Sequence, residues 1–304
     1  MAHSRFYDSV LQELAAGNIQ DGINMLVGML DTVDQQPEQF GAACDELRKH
    51  GLAAMLREDP LFADSPASPG NDSAMLQLIA LGNIGADVSQ TGRRLFSATS
   101  ELKLSRALRE RQLDAGRRVA RAWQHGRRIC ILGGGPLSAA RMLAGRDLSN
   151  ITVVDDDRCT GAQLRDEFGA SFRLIEASPA QFLRTANTAD PFNVICTAEL
   201  ADSNASHGLA SLMPAMGRQL APGGRIELAA LVAFHPGCGW RRAYLDWEPC
   251  CHEAQSLTAM AAGAGRDARV YQDQTGCVVW CEMGAFDGAE PGKINQAKVT
   301  GGLS

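Results

Sequence analysis

The sequence predicts an α/β protein in which an α-helical N-terminal part precedes a doubly wound sheet of seven strands. Three observations predict it. From Tyr7 to about Gln124 apolar residues recur at helical spacing, as in Val10, Leu11 and Leu14 and then Ile23, Leu26, Val27 and Leu30. After His125-Gly126 the pattern changes to short apolar or β-branched runs alternating with amphipathic segments. At 304 residues, with 45% hydrophobic and 21% charged, the chain has ordinary globular usage and length for one large domain or two smaller ones. The expected division is a helical cap over 1–124, a sheet domain over 125–286 and a loose polar tail over 287–304.

In the N-terminal part, Asp59-Pro60 and the stretch from Ser65-Pro66 to Asn71-Asp72 interrupt the helical pattern, because proline and glycine forbid a continuous helix. Glu101 to Trp123 has no proline and reads as one long amphipathic helix. Its arginines, among them Arg106, Arg109, Arg111, Arg117, Arg118 and Arg121, read as a solvated face, or else one or two meet an anionic substrate. Strands follow at Ile129–Leu132, Ile151–Val154, Phe172–Ile175, Phe192–Cys196, Arg225–Leu231, Ala268–Tyr271 and Cys277–Glu282. Helices are predicted between them at Leu137–Leu143, Ala162–Phe168, Pro179–Thr185 and Leu209–Leu220, with a turn at Ala221-Pro222-Gly223-Gly224. Such alternation predicts a parallel sheet covered by helices on both faces.

Lys plus Arg is 29 against 35 Asp plus Glu, a net charge of −6 that disfavours nucleic acid as a partner. No apolar stretch approaches the roughly 20 residues that span a bilayer, and the N-terminus lacks a signal-peptide pattern. A cytoplasmic protein with a small-molecule substrate, no membrane partner and room for a homodimer is the expectation. Nine cysteines, an odd number, scattered through predicted elements, read as free thiols, Cys277 and Cys281 as buried ones. His235, Cys238, Cys250, Cys251 and His252 form no paired Cys-x-x-Cys frame, and adjacent cysteines fit one tetrahedral ion poorly, so no metal is expected.

In an open parallel sheet, ligands bind outside the carboxyl ends of the strands, which makes those ends the candidate site. Gly133-Gly134-Gly135 ends the first strand and lets a ligand approach the backbone. Asp155, followed by Asp156 and Asp157, ends the second, where a carboxylate can accept from both hydroxyls of a ribose and where three acids repel phosphate. Glu176-Ala177-Ser178 and Thr197-Ala198-Glu199 end the third and fourth.

This ordered set of strand ends, with Leu220 to Arg225 before the fifth strand, resembles the class I S-adenosylmethionine (SAM) dependent methyltransferases over about residues 127–283. The resemblance implies a Rossmann-like SAM-binding domain. It implies that Gly133, Gly134 and Gly135 line the methionine part of SAM, that Asp155 with Asp156 binds the ribose, that Ser178 flanks the adenine and that Thr197 to Glu199 border the substrate. Ile131 stands where that family usually has an acidic residue, and Leu137 where it has a third glycine. Leu56 to Phe62, Ser68 to Leu76 and Tyr244-Leu245-Asp246-Trp247 resemble methyltransferases related to the extracellular factor 3-hydroxypalmitic acid methyl ester biosynthesis protein. Ile131 to Ser138 and Leu102 to Arg106 are similar to nicotianamine synthase-like enzymes, which move the aminocarboxypropyl group of SAM instead. A Rossmann-like domain that binds another adenosine ligand, and a non-catalytic SAM-fold binding protein, stay as alternatives.

Methyl transfer needs a nucleophile aligned behind the methyl group, exclusion of water and, for a hydroxyl or amine, a base. His235, Glu199 and Tyr244 are the candidates for catalytic roles, with His207, His252, Asp202 and Asp246 behind them. Tyr244 and Trp247 either wall an apolar substrate or belong to the core.

Overall fold

A computed structural model describes residues 3–62, 72–185 and 190–284. Most of the interrupting loop expected over 65–72 and the whole tail over 287–304 lie outside the described residues, as do Ser68 to Asn71 of the resemblance noted above.

Seven helices come first: α1 (Ser4–Ala15), α2 (Ile19–Asp34), α3 (Pro37–Lys49), α4 (Gly51–Leu56), α5 (Asp72–Leu81), α6 (Gln90–Ser100) and α7 (Lys103–Gln124). Local chemistry sets several of their ends. Pro37 opens α3, where its missing N–H costs nothing, and the Ser89 hydroxyl caps α6 by accepting from the Gly92 N–H at 2.9 Å. Helix α7 buries Leu104, Leu108, Arg111, Ala115, Val119 and Ala122, a stripe at steps of three and four residues. Gly126, at φ +63°, turns the chain out of it toward the sheet.

The sheet follows as β1 (Ile129–Leu132), α8 (Gly135–Ala139), β2 (Ile151–Asp155), α9 (Arg158–Phe168), β3 (Arg173–Glu176), α10 (Pro179–Thr185), β4 (Phe192–Thr197), α11 (Ser206–Arg218), β5 (Leu220–Leu231), α12 (Cys238–Tyr244), α13 (Ala254–Gly263), β6 (Ala268–Gln272) and β7 (Val278–Gly284). Its strand order is β3-β2-β1-β4-β5-β7-β6. Strands β1 to β5 pair in parallel, and β7 runs antiparallel to both β5 and β6. This is a seven-stranded, Rossmann-like α/β fold.

Three expectations need correction. The sheet is mixed, because only five residues separate β6 from β7, far too few for a parallel crossover. Ala221 to Gly224 lies inside β5 as an irregularity: Leu220 pairs with Phe192, the register shifts, and Arg225 pairs with Val194. The helix expected at Leu137–Leu143 breaks at Ala140 into α8 and a single 3₁₀ turn at Arg141–Leu143.

One apolar cluster runs from α1 through α7 into Ile129, Ile131, Val153 and Trp280 on one face of the sheet, and a second fills the other face beneath α11 and α13. Polar joints tie the helical part to the sheet part. Asp59, 1% exposed, accepts from the Tyr244 hydroxyl at 2.8 Å, the Thr99 hydroxyl at 2.9 Å and the Leu61 N–H at 3.0 Å. Asp31 of α2 accepts from the Gly237 and Gly239 N–H groups at 2.6 and 2.9 Å, at the start of α12.

The basic helix is not a solvated face throughout. Arg111 is fully buried and pairs with Asp202. Arg118 pairs with Glu282 at 2.7 Å and lies over the Trp280 ring at 4.1 Å. Both serve as internal ties between α7 and the sheet rather than as solvent or substrate contacts.

Candidate functional site

Strand order reverses between β1 and β4, and the connections on either side of that point leave a crevice at their carboxyl ends. A cavity of about 460 Å³ lies there, within the range of small-molecule sites. Gly133 after β1, Asp155 and Asp156 at the end of β2, Ser178 after β3 and Glu199 after β4 line it. Leu76 of α5 and Trp247 also line it, so the helical part and the segment after α12 both reach the cavity.

The glycine turn is built under two constraints. Gly133 sits at φ +90°, a conformation that side chains with a Cβ rarely adopt. A Cβ on Gly135 would stand 2.5 Å from Glu199 Oε1 and 2.8 Å from Gln112 Oε1, so a larger residue there would push those two side-chain ends away from the turn. Asp155 orders the same turn from the neighbouring strand. Its Oδ2 accepts from the Gly134 N–H at 2.6 Å and its Oδ1 from the Asp157 N–H at 2.8 Å. Burial raises the Asp155 pKa, those two hydrogen bonds oppose the shift, and the charges of Asp157 and Asp156 add to it. Each Asp155 oxygen keeps a lone pair for a further donor.

Glu199 faces the turn across the crevice. Its Oε1 accepts from the Gln112 Nε2 of α7. Burial pushes its carboxyl up to about 7, with Arg111 opposing and Asp202 and Asp155 reinforcing the rise. Beside it Arg111 Nη1 donates to Asp202 Oδ1 at 3.0 Å and Nη2 lies 2.8 Å from Oδ2, an ion pair with both side chains under 10% exposed. Arg111 is therefore neutralised locally, and the free charges around the cavity are carboxylates.

The raised Glu199 carboxyl makes stability pH-dependent. Its folded pKa lies above the ordinary value of 4.5, so between those values the native state binds more protons than the unfolded chain. The contribution is whole below about pH 4.5 and lost as pH rises through 7. Glu199→Gln, which cannot ionise, is expected to be more stable than the parent at pH 8 by about 1–3 kcal/mol and level with it at pH 4.5. Urea denaturation at the two pH values checks this; an equal difference at both would contradict it.

Of the residues singled out from sequence, Gly133, Asp155, Asp156, Ser178 and Glu199 line one cavity. Gly134 and Gly135 lie in the turn beneath it, both buried. Thr197 is fully buried, and its hydroxyl accepts from the Leu200 N–H at 3.2 Å, which shapes the loop after β4. His235 and Tyr244 do not line the cavity. His235 is buried next to α12, its ring nitrogen 3.1 Å from the Pro236 carbonyl. Tyr244 stacks on Trp240 and gives its hydroxyl to Asp59, as its helical spacing with Trp240 allows. His252 is buried, with Nε2 3.1 and 3.0 Å from the Ala201 and Asn204 carbonyls. His207 is exposed on α11.

Sequence reasoning missed Leu76, Gln112 and the Arg111–Asp202 pair. A signal for Arg111 and Gln112 existed: both occupy the buried stripe of α7, where only a partnered polar side chain is tolerated. Among the described residues no three His, Cys, Asp or Glu side chains are placed to hold a metal ion, and no helix is long and apolar enough to cross a membrane.

No protein-family model matches the chain, and no curated protein is similar to it in sequence. Solved structures share its fold. A "possible exported protein" from Bordetella parapertussis superposes with a TM-score of 0.53 at 14% identity, over 70% of this chain and 79% of that one. Magnesium protoporphyrin IX methyltransferase from Synechocystis PCC 6803 gives 0.44 at 10% identity, over 60% and 87%. A didemethyltoxoflavin N-methyltransferase from Burkholderia thailandensis gives 0.41 at 14% identity, over 74% and 94%. At 14% identity the likeness to the first of these is one of fold.

Proposed function

We propose that this chain binds SAM in the cavity at the β1–β4 reversal and transfers the methyl group to a small molecule. The observation that carries the reading is the convergence, on one cavity, of a glycine turn with Gly133 at φ +90°, a carboxylate at the end of β2 and Ser178 after β3. SAM, when bound, supplies an activated methyl group on a cationic sulfonium.

The residues fit such a ligand along its length. Asp155 has spare acceptor capacity for the two ribose hydroxyls, and Ser178, Pro179 and Ala180 offer a shallow wall for a flat base. Gly133 admits the chain that joins ribose to the amino-acid end. Asp155 and Asp156, joined by Glu199 when it ionises, give the cavity a negative field, which suits a cation and opposes a phosphate-bearing dinucleotide. Leu76 and Trp247 give the cavity an apolar stretch of wall. A small carboxylate, hydroxyl or amine is the acceptor class, and a carboxylate would need no base.

The fold also suits aminocarboxypropyl transfer, which the Gly135-Pro136-Leu137 turn favours through its similarity to nicotianamine synthase-like enzymes. Mass spectrometry of SAM incubated with protein and a panel of candidate acceptors decides the matter. S-adenosylhomocysteine (SAH) is the expected by-product. Accumulation of 5′-methylthioadenosine would replace methyl transfer by aminocarboxypropyl transfer, and unchanged SAM across the panel would favour a binding role.

A further inference from the structure

Gln112 Oε1 is a polar atom in an unusual position. The residue is 3% exposed, and this oxygen has no hydrogen-bond partner although its amide nitrogen donates to Glu199. A buried acceptor left alone costs about 1–3 kcal/mol. It points at the glycine turn, 2.8 Å from where a Gly135 Cβ would stand. Glu199 Oε2 approaches the same turn, 3.7 Å from the corresponding position on Gly133. Gly135, Gln112 and Glu199 form one side of a space of about 10 Å³, close to what one water-sized group occupies; Leu76, Ala80, Leu81 and Ala139 close the other side, and Glu199 and Leu76 are shared with the main cavity.

The unpartnered Gln112 Oε1 and the Glu199 carboxylate, both aimed at the glycine turn, call for a small group that donates several hydrogen bonds and carries positive charge. An ammonium does both. The direction of the ligand agrees. If Ser178 flanks the base and Asp155 the ribose, the ligand runs from β3 across β2 to β1, and its amino-acid end falls at Gly133 and Glu199.

We infer that Glu199 and Gln112 hold the ammonium of the ligand's methionine end, so that the long helix α7 and the loop after β4 supply the carboxylate contact at the glycine turn, where β1 carries Ile131. This rests on the SAM-binding reading above. It also couples binding to a proton. Glu199 is faced by Arg111 and Gln112 from α7, by Asp202 from its own loop and by Asp155 from β2. Held up to about 7 in the free protein, it is partly protonated at neutral pH and must ionise to receive an ammonium. Binding of an amino-acid-bearing ligand then releases a fraction of a proton near pH 7, and affinity rises with pH through that value.

Isothermal titration calorimetry of the whole protein with SAH and with 5′-methylthioadenosine, which lacks the amino-acid end, tests this. In buffers of different ionisation enthalpy, SAH should release about half a proton at pH 7, and 5′-methylthioadenosine none. Glu199→Gln should weaken SAH about tenfold or more, as expected for loss of a charge-assisted contact, and leave 5′-methylthioadenosine within about twofold. Gln112→Leu should weaken SAH in the same selective way; if Glu199→Gln binds neither compound, this variant decides. Equal loss for both compounds, or undiminished SAH binding, would overturn the ammonium role while leaving the cofactor reading intact. Failure of both compounds to bind the parent protein would instead remove the cofactor reading on which it rests.

Discussion

Arg111→Ala is expected to destabilise the protein by about 3–5 kcal/mol, the ordinary cost of removing one partner from a buried ion pair. The size follows from what is left behind. Arg111 has no exposed side-chain area and Asp202 has 8%, so truncation leaves a carboxylate in the interior with its counter-charge gone. Asp202 already has a pKa raised by burial and held down chiefly by Arg111. Without the guanidinium it would take up a proton more readily, so the loss should shrink toward acid pH. Arg111→Met combined with Asp202→Leu should recover most of the stability, because two apolar groups of similar volume leave no unpaired charge. Urea denaturation of the single and double variants checks both statements. A single variant within about 1 kcal/mol of the parent would mean that the pair is not desolvated as described.

The second large effect is expected at Gly239, where α12 crosses α2. A Cβ there would stand 2.2 Å from the Leu30 carbonyl oxygen and 2.7 Å from the Asp31 nitrogen. These are backbone atoms, so no side-chain rotation relieves the clash and the two helices must separate. Separation would also stretch the bonds from Asp31 to the Gly237 and Gly239 N–H groups. Gly239→Ala should cost about 3 kcal/mol. Gly263→Ala is the matched control: the residue closes α13 with no atom within 4 Å of the added carbon, and the change should be neutral or stabilising by up to about 1 kcal/mol. Thermal unfolding of the pair separates a crossing-point effect from a general intolerance of alanine for glycine.

The parts of this architecture that local pattern controls were readable without coordinates. The bounds of β1 are those of the apolar run Ile129–Leu132, and α10 spans Pro179–Thr185 as the sequence indicates. Fully buried parallel strands are continuous apolar runs ended by glycine or acid, which is a strong local signal. Direction and register are not local. The antiparallel course of β7 follows from a short hairpin, and the irregularity in β5 from its pairing with β4. The site divides in the same way. Gly133, Asp155 and Ser178 were legible because each ends a strand. Gln112 and Arg111 act on residues 87 and 91 positions away, and their only sequence trace is a polar interruption of an apolar stripe. Tyr244 shows the converse: an aromatic after β5 suggests a pocket wall, and its helical partner Trp240 draws it into the core.

The central claim, that the cavity at the β1–β4 reversal is a SAM site organised by Asp155, is tested most directly by equilibrium binding of SAH to the parent protein and to Asp155→Ala. The account predicts one SAH per chain for the parent. It predicts affinity lower in the variant by about 1.5–3 kcal/mol, roughly 10- to 150-fold, for loss of charge-assisted bonds to the ribose and to the Gly134 and Asp157 N–H groups. No SAH binding by the folded parent protein, or equal affinity in the two proteins, would contradict it.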